Sequence, residues 1–260
     1  MKLFDTHVHL NDKRFCNDIQ RTIENAQKAE VAVMLNVSYN QRSIAQTDGI
    51  TKKYSFIYGA VGLHPHYVKD TSASIFDEMR KCCENKKIVA IGEIGLDYYR
   101  DLSPRNMQKE WFVKQIELAK ELKKPIIVHN RESNEDSVEI IKSTHAGEYG
   151  GVVHSFSGDT EMLKVILNEN MHISVNGIST YKSAHLLKQV IKAVPMEHLL
   201  IETDCPYLTP DPFRGGRNEP AYVKIVAEAV AEVKKISVEE VARITTQNAC
   251  KLFEINFLQD

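Results

Sequence analysis

Pro125-Ile126-Ile127-Val128-His129-Asn130 follows a lysine-rich segment of helical period, and its reading decides the fold. Proline has no amide hydrogen to donate and stops a helix, so the chain must start a new element here. Ile-Ile-Val is β-branched and apolar without alternation. A half-exposed strand would alternate, so this one is covered on both faces, as in a parallel sheet flanked by helices. The run then ends on polar residues, at the point where a parallel strand delivers its side chains to a loop.

Seven further segments read the same way: Leu3–Val8, Ala32–Ser38, Ser55–Gly62, Ile88–Leu96, Gly151–Phe156, His172–Gly177 and Leu199–Cys205. Amphipathic stretches lie between them, including Asn17–Ala29, Pro104–Leu122, Asp159–Leu167 and Ala184–Ala193, with apolar residues three and four apart. Eight strands, each followed by a helix or by space for one, close naturally into a (β/α)₈ barrel of the TIM type. The alternative is an open, doubly wound sheet. No linker rich in Gly, Ser or Pro divides the chain, so residues 1–260 are expected to form one α/β domain. A last helix, Val238–Phe253, is expected outside the barrel.

Lys plus Arg number 33 and Asp plus Glu 35, a formal charge of −2. A protein that wraps duplex nucleic acid carries a basic excess, which is absent here. A small phosphate site built on metal ions stays open, because bound ions add charge that composition does not count. The five cysteines form no C-x-x-C pair, and an odd count argues against a disulfide framework. The N-terminal residues have no apolar signal core, and no apolar run reaches membrane-spanning length. The expected setting is a reducing cytoplasm, with no membrane and no obligate protein partner.

The chemistry gathers at the strand ends. The first strand carries His7-Val8-His9, and alternate residues of a strand point the same way, so both imidazoles can face one ion. Glu93 sits inside Ile91-Gly92-Glu93-Ile94-Gly95, where an unpaired acid is costly to bury. The fifth and sixth strands end in His129 and His154, and the eighth in Asp204. Any one of these is ordinarily a cap, a loop acid or a hydrogen-bonded core histidine. Their coincidence at the carboxyl ends of barrel strands is what argues for a site. Four histidines and two acids, with no competing thiolate set, suit two hard or borderline cations. In that reading Asp204 is both a ligand and a proton acceptor. Arg214 and Arg217, in a Gly-rich loop after the last strand, suit bidentate phosphate contacts. Tyr98 and Tyr99 can stack a frayed base or simply pack. His66, His145, His172, His185 and His198 are read as structural or surface residues.

The motifs Asp5-Thr6-His7-Val8-His9-Leu10, Gly62-Leu63-His64-Pro65-His66, Ile91-Gly92-Glu93-Ile94-Gly95-Leu96-Asp97-Tyr98, Val128-His129-Asn130-Arg131-Glu132, His154-Ser155-Phe156-Ser157-Gly158, Glu202-Thr203-Asp204-Cys205-Pro206 and Arg214-Gly215-Gly216-Arg217-Asn218-Glu219-Pro220 together resemble the TatD family of metal-dependent nucleases. The resemblance implies one divalent ion held by His7, His9, Glu93 and Asp204. It implies a second held by Glu93, His129 and His154, with Glu93 bridging. The implied ions are Mg²⁺ or Mn²⁺, with Zn²⁺ as the alternative, and Asp204 and Glu93 are the implied catalytic carboxylates. It further implies a deoxyribonuclease that hydrolyses single-stranded or frayed DNA from a 3′ end, with His64 and Arg131 beside the site on the substrate. A deacylase or amidase using the same ions, such as one acting on a D-aminoacyl-tRNA ester, is the competing enzymatic reading. A non-catalytic metal-stabilised module would not need Asp204 in addition to four histidines and Glu93.

Overall fold

The computed structural model describes residues 1–256. Eight strands form one parallel sheet in sequence order: β1 Leu3–Val8, β2 Val31–Val37, β3 Ile57–Val61, β4 Ile88–Asp97, β5 Ile126–Arg131, β6 Gly151–Val153, β7 His172–Val175 and β8 Leu199–Ile201. Each pairs in parallel with the next, as in Met34↔Ile57, Ile127↔Val152 and Val175↔Ile201. The helices that follow them in turn are α1 Ile19–Lys28, α2 Gln41–Lys53, α3 Ile75–Cys83, α4 Arg105–Glu121, α5 Asn134–Ser143, α6 Thr160–Asn168, α7 His185–Ala193 and α8 Val223–Lys234. This is the (β/α)₈ barrel that the sequence predicts, and an open doubly wound order is excluded. No helix among the described residues is long and apolar enough to cross a membrane.

The strands β6 and β8 stop earlier than the residue pattern suggests. His154 falls one residue past β6 and Asp204 three past β8. The backbone turns there, with Ser155 at φ 47° and Asp204 at φ 55°. Asp enters this left-handed region more readily than most residues, because its short polar side chain is tolerated there.

Closure between β1 and β8 uses side chains more than ladder. One parallel bridge, Val8↔Cys205, joins the edges, with His9 N–H donating to Cys205 O at 2.9 Å and Asp204 N–H to His7 O at 2.9 Å. Below it the fully buried Asp5 carboxylate accepts from the Thr203 amide at 2.9 Å and the Thr203 hydroxyl at 2.6 Å. Thr6 Oγ1 donates to Ile201 O at 3.0 Å. Burial pushes the Asp5 carboxyl well above its usual range, against the opposing pull of the two Thr203 bonds.

The barrel interior is filled by Phe4, Val33, Leu35, Ala60, Ile127, Val152 and Leu200, while a larger apolar layer lies between strands and helices. The final helix, α9 Val238–Leu252, corrects one expectation. It does run outside the strands, but its end joins the interior cluster: Ala249, Leu252, Phe253 and Ile255 pack with Phe4, ring centroids of Phe4 and Phe253 6.2 Å apart. If the end of the barrel at the strand N-termini were left open, that apolar interior would be exposed to water, and this segment stoppers it. Asn248 fixes its height by donating to Met196 O at 2.7 Å and Leu199 O at 2.9 Å.

Phe253 is 2% exposed. Phe253→Ala should therefore destabilise the protein by about 3–5 kcal/mol, the usual cost of deleting a buried aromatic ring. Chemical denaturation should show the loss as a lower midpoint with little change in the metal-free site geometry, and a midpoint within experimental error of wild type would refute the stopper.

Candidate metal centre

Local backbone geometry aims each side chain at the mouth of the barrel. In β1 Phe4 points into the apolar interior, and a register shift between Asp5 and Val8 then turns His7 and His9 toward one point. Their Nε2 atoms lie 3.3 Å apart. In β4 the register shifts again between Gly92 and Ile94, which delivers Glu93 inward. The strand can run this close to β5 only because of glycine. At Gly95, with φ 137°, a Cβ would stand 2.0 Å from His129 O, so a side chain would push β4 away from the very strand that carries His129.

The two Glu93 oxygens face different partners. Oε2 lies 3.6 Å from His7 Nε2 and 3.8 Å from His9 Nε2. Oε1 lies 2.8 Å from His129 Nδ1, 2.7 Å from His154 Nε2 and 3.6 Å from His64 Nε2. Asp204 Oδ1 completes the first group, 3.4 Å from His9 Nε2 and 3.9 Å from His7 Nε2. The structure thus brings together all six residues expected as ligands. Both His7, His9, Asp204 and His64, Glu93, His129 have donor atoms that mutually converge within 4.8 Å.

The donor atoms suit cations. His9 donates Nδ1–H to Val37 O at 2.9 Å, and His129 directs Nε2 at Asp97 Oδ2 at 3.0 Å. In the neutral rings these bonds place the lone pairs of His9 Nε2 and His129 Nδ1 toward carboxylate oxygens. Two acceptors face each other stably only with a proton or a metal ion between them. The residues fit the metal ions that the motifs imply, and the outward bonds are those that commonly orient metal-ligating histidines.

Electrostatics follow from packing so many ionisable groups together. Burial alone would raise the Glu93 carboxyl, but the facing His154, His64 and His129 imidazoles outweigh it and hold it well below the usual range. Burial and the nearby His129 ring hold His64 well below the ordinary imidazole value, so it stays neutral. His64 Nδ1 accepts the His66 N–H at 3.1 Å, which assigns its own proton to Nε2, the atom facing Glu93. A neutral ring with that proton inward is a hydrogen-bond donor.

Four residues of the site carry no role in the sequence reading. Asp97 accepts from His129 and from His66 Nε2, both at 3.0 Å, and from the Arg100 amide at 2.7 Å. Against burial, its bonds to His129 and His66 hold it far below the usual carboxylate range. Glu202 lies 3.5 Å from His154 Nδ1 and accepts from the Ser155 amide at 2.8 Å. Asp5 sets the Thr203 turn before Asp204, and His66, read as structural or surface, lies in the wall of the site with its Nε2 3.0 Å from Asp97 Oδ2. The criterion that singled out Glu93, an acid within a buried apolar run, applied equally to Asp5, Asp97 and Glu202.

The expected substrate contacts separate. Arg131 is exposed and lies over Tyr99 at 4.3 Å, and Arg214 lies over Tyr181 at 4.2 Å, so both present cations at the rim. Arg217 does not. Its Nη1 donates to Arg14 O at 2.6 Å and Asp18 Oδ1 at 2.8 Å, and its Nη2 to Asp18 Oδ2 and Glu219 Oε1, both at 2.8 Å. A guanidinium so fully engaged ties the Gly-rich loop to the start of α1, which is a structural use of the charge. Tyr98 is also engaged, donating to Asp136 Oδ2 at 2.5 Å, whereas Tyr99 is 52% exposed.

Asp97→Asn should weaken metal binding by roughly 10–100-fold, as expected when the partner that orients a ligating imidazole is lost. Titration of the metal-free protein with Mn²⁺ measures this, and an unchanged affinity would show that Asp97 does not orient His129.

Comparison with known proteins identifies the family and the fold. Residues 4–254 match the family model described as TatD related DNase. A Bacillus subtilis protein named as an uncharacterized metal-dependent hydrolase is 45% identical over 254 residues, 98% of this chain and 100% of that one. A Pantoea ananatis protein named as a 3′-5′ ssDNA/RNA exonuclease is 32% identical over 96% of this chain and 99% of its own length. The crystal structure of a TatD homologue from Escherichia coli superposes with a TM-score of 0.92 at 28% identity, covering 97% of this chain and 98% of that one.

Proposed function

This chain belongs to the TatD family of metal-dependent hydrolases, and on that premise we propose that it is a two-metal deoxyribonuclease that removes nucleotides from the 3′ end of single-stranded or frayed DNA. The observation that carries the reading is Glu93, whose Oε2 faces His7 and His9 while its Oε1 faces His129 and His154. One carboxylate between two groups of imidazoles is the arrangement a bridging ligand needs.

His7, His9, Glu93 and Asp204 would hold one ion, and Glu93, His129 and His154 the other, Mg²⁺ or Mn²⁺ before Zn²⁺. Such ions supply Lewis acidity, neutralising charge on the phosphoryl oxygens and acidifying the attacking water. The protein's own groups do the rest. Asp204, with its side chain 13% exposed at the lip of the cluster, accepts the proton of that water. His64 donates from Nε2 to a phosphoryl oxygen and stays neutral because of its burial. Arg131 and Arg214 offer cations at the rim, and exposed Tyr99 offers a ring for the terminal base. None of the five cysteines is in a disulfide bond, which fits a cytoplasmic setting.

Glu93→Gln should deplete metal from both positions, and His129→Ala mainly from one. Metal content by mass spectrometry separates these, and equal partial losses would show that Glu93 is no bridge. Asp204→Asn keeps shape and one oxygen but removes the proton acceptor. With metal content retained, it should bind end-labelled single-stranded DNA near normally while turnover falls by about 10²-fold or more. The wild type should release mononucleotides in sequence, with circular or 3′-blocked DNA resistant. DNA left intact by metal-loaded protein that cleaves a D-aminoacyl-tRNA ester would replace the substrate and keep the metal chemistry.

A further inference from the structure

A groove of about 750 Å³ opens beside the metal centre, between the segment that follows β1 and helix α2. Two of its lining residues, Tyr39 and Tyr207, flank the ring of His9 edge-on at 5.5 Å and 6.1 Å. Tyr67, 37% exposed, stands next to Tyr39 at 5.9 Å. The far wall is one face of α2, where Arg42, Gln46, Gly49, Ile50 and Lys53 recur at helical spacing. From Arg42 to Lys53 that face runs about 16 Å, at 1.5 Å per residue. Lys13 stands opposite.

The charge of this groove differs from that of the chain as a whole. Lys13, Arg42 and Lys53 line it, all exposed, and no described carboxylate forms an ion pair with them. The acid in the lining, Asp12, is already bound by Arg14, at 2.9 Å to Nε and 3.1 Å to Nη2. Three cations with no carboxylate partner among the described residues, Lys53 resting over the Tyr54 ring at 5.1 Å, and a row of tyrosines form a local basic and aromatic track on a protein of net charge −2. Gly49 adds an independent observation. A glycine inside a helix costs roughly 1 kcal/mol relative to alanine. Yet a Cβ at Gly49 would meet nothing within 4 Å, so no neighbour in the fold requires its absence. The bare α2 backbone at this point leaves room for close approach by a ligand.

We propose that this groove is the track of the substrate strand: with the 3′ end at the metal centre, the nucleotides on its 5′ side stack past Tyr207, Tyr39 and Tyr67 and lay their phosphates along Lys13, Arg42 and Lys53. The inference rests on the nuclease reading above and adds the polarity and path of the strand. It makes single-strandedness a consequence of shape, since bases that stack on the protein cannot remain paired.

Metal-loaded wild type and the double variant Arg42→Ala/Lys53→Ala are compared on a dithymidylate and a dodecathymidylate. The altered residues lie on the exposed face of α2 and contribute no atom to the metal centre, so turnover of the dinucleotide, whose single phosphate sits at that centre, should not change. For the dodecamer the variant should raise KM by roughly tenfold at constant kcat. Its affinity for a dodecamer with a phosphorothioate at the 3′-terminal linkage should fall to match. The slope of log affinity against log salt should shrink by about 1.4, because each single-strand phosphate contact contributes about 0.7. Gly49→Leu should raise the dodecamer KM by bulk alone, while thermal stability holds or rises. Equal wild-type KM for the two lengths, or an unchanged KM and salt slope in the double variant, overturns the track and leaves the nuclease reading standing. Failure of the wild type to cleave either DNA overturns both.

Discussion

The site depends on the seam between β1 and β8. No extended ladder closes the barrel there; the buried Asp5 carboxylate takes two hydrogen bonds from Thr203, and Val8 pairs once with Cys205. These contacts join residues nearly two hundred positions apart in the chain. They set His7 and His9 beside Asp204, and the first group of donor atoms exists only because they hold. A carboxylate suits this task, since it accepts an amide and a hydroxyl at once where a carbonyl ladder would need both strands to run longer.

The rest of the site is built outward from Glu93 in the same way. Glycines at 92 and 95 let β4 press against β5, and register shifts on β1 and β4 turn the ligating side chains to one centre. A carboxylate buried to this depth is affordable only because imidazoles surround it. Those imidazoles are in turn fixed by outward bonds to Asp97 and Val37 O. The apolar interior beneath, stoppered by Phe253 and its neighbours, makes no call on the site for its stability. Metal chemistry sits on a scaffold that is already packed.

Much of the fold was legible because buried parallel strands leave an unmistakable pattern. Ile126-Ile127-Val128 and its counterparts located all eight strands. Helix α2 was harder to see for a physical reason. Its buried face is Ser43, Ile44, Thr47 and Thr51, and hydroxyl groups that pack inside do not register as an apolar stripe. The last helix was legible as a helix, but its period says nothing of whether its end turns under a barrel. Arg217 shows the opposite error. Its Gly-rich context read as a phosphate loop, whereas the fold brings Asp18 within 2.8 Å and uses the charge internally.

The sequence by itself determined the barrel class, the six residues that converge at its mouth and the family. Strand hydrophobicity and motif spacing are local properties that any reading of the chain can recover. Tertiary structure alone decided which Glu93 oxygen faces which histidines, that Asp97 and Glu202 stand behind them, and that a basic aromatic groove leads away from His9. Each of these joins side chains from different strands or loops. Such contacts depend on register, strand tilt and closure of the barrel, which are set by the packing of the whole chain and written in no single segment of it.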